Sequence, residues 1–187
     1  MAPPTAGSTP QGDGAPPADA PAIKAPAKDI AKAVAYGLRS TQQRPQTVAE
    51  MTAKLQRRYD DEETVVAAVA QLEAAGALDD ATFARIWVED RGRQRGYGAA
   101  RLRQELRRRL VPDELAEEAL AALDERDDLQ TATELARRKA KGYPNSLEPD
   151  AVARRLQGFL MRRGYSQALS NKVAIEVSGL DRYRSWD

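Results

Sequence analysis

The 187-residue chain contains no cysteine and no histidine. Without cysteine there is no disulfide framework and no thiolate chemistry. Without histidine the commonest general base and the commonest transition-metal ligand are both missing. Catalysis would have to rest on carboxylates, lysine, serine or tyrosine. The sequence also holds no glycine-rich phosphate loop, no metal-ligand spacing and no nucleophile paired with a plausible base. We therefore expect no enzyme, no cofactor and no metal. An excess of charge of one sign is lacking too: 29 Lys and Arg stand against 28 Asp and Glu, a net charge of +1. Bulk charge thus points to no nucleic-acid partner, and only local clusters can carry such an argument. No run of about 18 apolar residues exists, so no membrane span is expected. The N-terminus lacks the apolar core of a signal peptide, which makes the cytoplasm the expected location.

What is present is organised in blocks. The first 28 residues hold seven of the eleven prolines and almost no large apolar side chain. Such a stretch buries too little surface to offset its ordering entropy, so a disordered tail over 1–28 is expected. From Asp29 the pattern turns helical. Segments 47–72, 98–123 and 152–177 align without a gap. Met51, Leu102 and Leu156 share one position, and Leu55, Leu106 and Leu160 the position four later, the spacing of one helix face. The pairs Arg57-Arg58, Arg108-Arg109 and Arg162-Arg163 follow. A second helix should then begin near Asp61, Asp113 and Ser166, with Pro112 suited to a first helical turn. A further helical stretch precedes each pair, at 29–41, 80–94 and 127–141.

The expected fold is therefore all-α, with three tandem three-helix units in an elongated helical-repeat chain: 29–78, 79–125 and 126–180, then a C-terminal tail over 181–187. Gly96-Tyr97 and Gly142-Tyr143 should end the first helix of units two and three, and unit three carries an insertion around PNSLEPD. Asp79 or Asp80 is the natural cap for the helix near Ala81.

The stretch LDDATFARIWVEDRGRQRGYGAARLRQEL, residues 78–106, resembles the RecX regulatory family, modulators of the RecA recombinase. Asp80, Phe83, Ala84, Trp87, Val88 and Arg91 carry the match, followed by Gly98, Arg101, Leu102, Glu105 and Leu106. We read Asp80, Phe83, Trp87, Gly98, Leu102 and Leu106 as a structural signature, one that recognises a fold. The resemblance covers about residues 29–180 and implies a non-enzymatic regulator. It would bind RecA assembled on single-stranded DNA and suppress ATP hydrolysis, strand exchange and co-protease activity. Recombination, DNA repair and the SOS response would thereby be restrained. The family usually places glycine after the basic pair. Here Gly164 fits, whereas Tyr59 and Leu110 depart, so the turns of units one and two should differ in shape.

Residues 91–110 contain eight arginines and one glutamate. On a helix over 99–110, Ala99, Leu102, Leu106 and Leu110 should form an apolar stripe, with Arg103 and Arg107 on one flank and Arg101 and Arg108 on the other. Arg109 should lie beside the stripe, packing its stem there. Residues 91–109 carry +7 and residues 113–128 carry −7, so antiparallel packing would pair some arginines internally. Arg91, Arg93 and Arg95 flank no apolar stripe and are the favoured functional cations. Arg137, Arg138, Lys139 and Lys141 hold the matching place in unit three, followed by Arg154 and Arg155. With Arg101, Arg103, Arg107 and Arg108 they make a candidate partner-binding set for carboxylate or phosphate. The partner would be the RecA filament, with direct contact to single- or double-stranded DNA as the alternative. A monomer is expected.

Overall fold

The computed structural model describes residues 27–121, 123 and 127–180. The proline-rich tail, except Ala27 and Lys28, and the C-terminal tail lie outside the described residues, as do Asp124, Glu125 and Arg126 of the acidic run. Ala27 and Lys28 are already helical, so the first helix begins inside the stretch expected to be tail.

Helices α1 (Ala27–Gln43), α2 (Val48–Gln56) and α3 (Glu62–Ala74) make the first unit. The second contains α4 (Asp80–Val88), continued by a π-helical turn over Glu89–Gln94, then α5 (Ala99–Arg108) and α6 (Asp113–Ala121). The third contains α7 (Asp128–Ala140), α8 (Pro149–Arg162) and α9 (Gln167–Ser178). The described residues hold no strand. No helix among them is long and apolar enough to cross a membrane.

Each triplet closes its own core, and the repeated apolar positions are what close it. Met51 and Leu55, Leu102 and Leu106, and Leu156 and Leu160 are all fully buried, because a four-residue spacing keeps each pair on one face. Helix starts are marked by side chains that accept orphan backbone N–H groups. Asp61 Oδ2 accepts from Thr64 N at 2.9 Å, Asp79 Oδ1 from Thr82 N at 2.9 Å, and Ser166 Oγ from Leu169 N at 3.2 Å. Asp79 is thus the cap of α4, and Asp80 is left for a different bond. Pro149 opens α8 after the insertion. Pro112 stands one residue before α6 rather than within its first turn, with its carbonyl accepting from Ala116 N at 3.0 Å.

Two expectations fail at the end of α5. Leu110 is 68 % exposed and does not continue the apolar stripe. The helix has already stopped at Arg108, and Leu110 adopts a left-handed backbone with φ of 58°. Leu110 N donates to Arg107 O and Val111 N to Leu106 O, which turns the buried Val111 into the core where Leu110 was expected. Unit three makes the same closure with Gly164 (φ 93°): Gly164 N donates to Met161 O and Tyr165 N to Leu160 O. The turn of unit two therefore matches that of unit three despite lacking glycine. Unit one alone departs, because α2 ends a residue earlier and Tyr59 N bonds straight back to Leu55 O.

Candidate interaction surface at the unit junctions

Units one and two are joined by polar side chains. Buried Thr47, the N-cap of α2, accepts from Glu50 N and donates its hydroxyl to Arg109 O at 2.9 Å. Val48 N donates to Asp80 Oδ1 at 2.9 Å, so the signature aspartate caps a helix of the neighbouring unit rather than its own. Burial pushes the Asp80 carboxyl up, against the opposing pull of the Val48 N–H. Arg109 completes the joint: its Nη1 lies 2.9 Å from Glu50 Oε1, and its guanidinium stacks over the Trp87 ring at 4.2 Å.

The signature aromatic sits at the centre of this network. Trp87 stacks on Phe83, and two guanidinium groups lie over its ring, Arg91 at 3.6 Å and Arg109 at 4.2 Å. Its Nε1 donates to Glu105 Oε2 at 3.1 Å, Arg91 Nε lies 3.2 Å from that same oxygen, and Arg101 Nε donates to Glu105 Oε1 at 2.9 Å. Glu105, the one acid within the arginine run, thereby holds Trp87, Arg91 and Arg101 at once.

This changes the reading of the basic run. Arg91, Arg93 and Arg95 do not form a bare linker, since the π-helical turn carries the first two and each cation has a carboxylate beside it. Arg91 is only 22 % exposed; Arg93 pairs with Glu89 at 3.2 Å and Arg95 with Asp90 at 3.0 Å. The flank holding Arg103 and Arg107 faces α6, as antiparallel packing requires. Arg103 makes a two-pronged pair with Glu117, which holds that carboxyl below its usual range, and Arg107 meets Asp113 at 3.3 Å. In unit three, Arg137 pairs with Glu176 and Arg154 with Asp150. Lys141 is exposed.

The opposite flank of α5, with Arg101 and Arg108, faces unit three. There the joint is backbone on backbone. Gly98 N donates to Arg163 O at 2.8 Å, and buried Tyr165 donates its hydroxyl to Gly96 O at 3.0 Å. Arg101 Nη1 donates to Arg162 O at 3.2 Å and Arg163 Nη1 to Arg95 O. Gly98 has φ −80° and ψ 160°, a backbone that any residue adopts. Its need for glycine is steric: a Cβ there would lie 2.5 Å from Gly164 O. The signature glycine is a docking point, a role beyond the turn that the local sequence suggested.

Two clefts flank this joint. One, of about 380 Å³, is lined by Arg101, Gln104, Glu105, Arg108, Met161 and Arg162. The other, of about 560 Å³, is lined by Arg95, Tyr97, Arg138, Lys139, Phe159 and Arg163, with no carboxylate in its wall. Arg162, Arg163 and Phe159 were not candidates from the sequence, where the arginine pair read as a helix C-terminus. No local signal marks them, because only the docking of α8 against α5 brings them to the basic side.

Family comparisons agree with this geometry. The model of the second three-helix domain of RecX matches residues 79–120, and that of the third three-helix domain matches residues 125–173. A Regulatory protein RecX of Amycolatopsis mediterranei is 39 % identical over 133 residues, covering 71 % of this chain and 75 % of that protein. The chain belongs to the RecX family. The RecX of Thermobifida fusca is 35 % identical over 163 residues, covering 84 % of this chain and 86 % of its own. The crystal structure of RecX from Lactobacillus salivarius superposes with a TM-score of 0.69 at 19 % identity, covering 81 % of this chain and 97 % of that one. A second crystal structure of a regulatory protein RecX gives 0.67 at 22 % identity over 79 % of this chain and 72 % of that one. Those two superpositions establish the shared fold, and the sequence relatives a RecX regulatory role.

Proposed function

We propose that this RecX-family protein is a non-enzymatic cytoplasmic regulator that binds the RecA filament on single-stranded DNA. It inhibits the filament's ATPase, strand-exchange and co-protease activities, restraining recombination, repair and the SOS response. The observation that carries the proposal is the family match extending across a tandem array of three-helix units. A helix of 12 residues is about 18 Å long, so units in series can touch more than one protomer of a helical assembly. The junctions hold successive units through several directional bonds each, which suits a clamp that must keep its spacing. The exposed cations Arg93, Arg95, Arg103 and Arg107 are assigned to acidic filament surface, with the paired carboxylates exchanged on binding. Arg91 belongs to the frame that presents them.

The test is ATP hydrolysis by RecA on saturating single-stranded DNA, with this protein added below stoichiometry. Saturating DNA prevents competition for free strand from imitating inhibition. A clear fall in rate is expected; an unchanged rate up to equimolar protein refutes the regulator reading.

A further inference from the structure

Four of the five left-handed residues among those described are glycines: Gly76, Gly96, Gly164 and Gly179. The fifth is Leu110, with φ of 58°. A leucine there carries a conformational cost that glycine avoids, because its Cβ crowds the following carbonyl oxygen. Nothing inside the chain offsets that cost. Leu110 is the most exposed large apolar residue among those described, at 68 %, and lies outside the core of its unit, which Val111 enters instead. A lone exposed leucine is ordinary. One held out in a backbone region that disfavours it, at a turn that unit three closes with Gly164, calls for a cause outside the chain. The turn also holds it still. Leu110 N donates to Arg107 O, Val111 N to Leu106 O, and the Arg109 carbonyl accepts from the Thr47 hydroxyl across the joint of units one and two. Exposed Pro112 follows, and the Thr47 bond brings the α1–α2 connection, with exposed Pro45, to the same joint.

We propose that Leu110 is a preset anchor for a protein partner, its side chain filling an apolar pocket whose rim carries charges of both signs. On the filament reading above, on which this rests, that pocket belongs to a filament protomer. A backbone already fixed leaves little ordering entropy to lose on docking. The surroundings favour protein over nucleic acid. Exposed Arg107 and Arg108 precede the turn, and exposed Asp113 and Glu114 open α6 just after it. A phosphate backbone would repel those carboxylates, whereas a protein surface can answer both signs. An apolar centre within a polar, charged rim is the usual anatomy of a protein interface. Docking thus accounts for a leucine where the fold alone would favour glycine.

The test measures binding of the full chain to RecA filaments assembled on oligothymidine with a slowly hydrolysed ATP analogue, alongside urea melts of each variant. Leu110→Gly and Leu110→Asn both suit a left-handed backbone, so each should be at least as stable as the parent. Each should nonetheless weaken filament binding about 10- to 100-fold, the factor expected when one leucine is no longer buried. Leu110→Met keeps an apolar side chain of similar volume and should recover most of that loss. The deficit should persist as salt is raised, since apolar burial is not screened. Parent-like binding by both the glycine and the asparagine variants overturns the proposal and leaves the filament reading intact. Absence of binding by the parent chain refutes both. A matching loss of affinity for naked DNA would make the leucine a wedge between bases, and loss of a concentration-dependent dimer in sedimentation would make it a contact between copies. Either result overturns the anchor on a protomer.

Discussion

Replacing Gly98 by alanine should separate units two and three while leaving each helix intact. The backbone angles at Gly98 suit alanine, so no conformational penalty arises within its own unit. The cost comes from across the joint. The new Cβ would meet Gly164 O at 2.5 Å, Gly164 C at 2.6 Å and Tyr165 N at 3.0 Å. Ordinary contact begins near 3.4 Å, so the two backbones must part by about 0.9 Å. These are backbone atoms fixed by a helix end, and they cannot swing aside as a side-chain tip would. At that separation the Gly98 N–H to Arg163 carbonyl bond and the Tyr165 hydroxyl to Gly96 carbonyl bond are both lost or severely stretched. A lost bond costs about 0.5–1.5 kcal/mol, and a buried group left unpaired about 1–3 kcal/mol. The expected loss is about 2–4 kcal/mol, concentrated at the joint. Urea denaturation measures the total, and amide exchange at Gly98 and Tyr165 locates it. Gly142→Ala is the control, since its Cβ would meet nothing closer than Lys139 O at 3.6 Å and it lacks a left-handed backbone. A Gly98→Ala protein as stable as the parent, with unchanged exchange at the joint, would refute the steric reasoning.

Leu110→Gly should stabilise the protein slightly or leave it unchanged. It relieves a left-handed leucine, worth about 1–2 kcal/mol, against a more flexible unfolded chain at about 0.4–1 kcal/mol and a small loss of burial; a loss above about 1 kcal/mol in urea melts contradicts this. Arg91→Glu should destabilise unit two and disturb Trp87 fluorescence, because it sets a second acid beside Glu105 and removes the 3.6 Å stack; unchanged emission and melting temperature would argue against the frame role. Asp80 offers a pH test. Its carboxyl is raised by burial, so the folded state holds the proton more tightly than the unfolded chain does. Its contribution is present below the unfolded value of 3.8 and is lost as pH rises through the higher folded value. Asp80→Asn keeps an acceptor for Val48 N and removes that loss, so the melting temperature at pH 7 should hold or rise; a marked fall would show that the negative charge itself is needed. Asp61 and Asp79 act in the opposite direction, because capping bonds to Thr64 and Thr82 hold their carboxyls down. Their stabilisation is present above the ordinary value of 3.8 and fades as pH falls through the lowered one, so Asp79→Asn should flatten the acid limb of a pH–stability curve.

The sequence by itself determined the helices, the repeat and the core. Met51, Leu102 and Leu156 are equivalent because a four-residue apolar spacing has one consequence on a helix, wherever in the chain it occurs. Asp61, Asp79 and Ser166 cap helices for an equally local reason, and the two flanks of α5 were legible from 100° per residue. Leu110 was misread because the helix stops by bonds from Leu110 and Val111 back to α5, and a leucine tolerates there what glycine usually supplies. What only tertiary structure decided is which charges remain unpaired. Arg91 and Arg163 look alike in sequence, each in a basic stretch near a helix end. Packing sets Glu105 against the first and two aromatic rings against the second. The net charge of a surface is a sum over neighbours, and at the joint of units two and three those neighbours lie more than sixty residues apart in the chain.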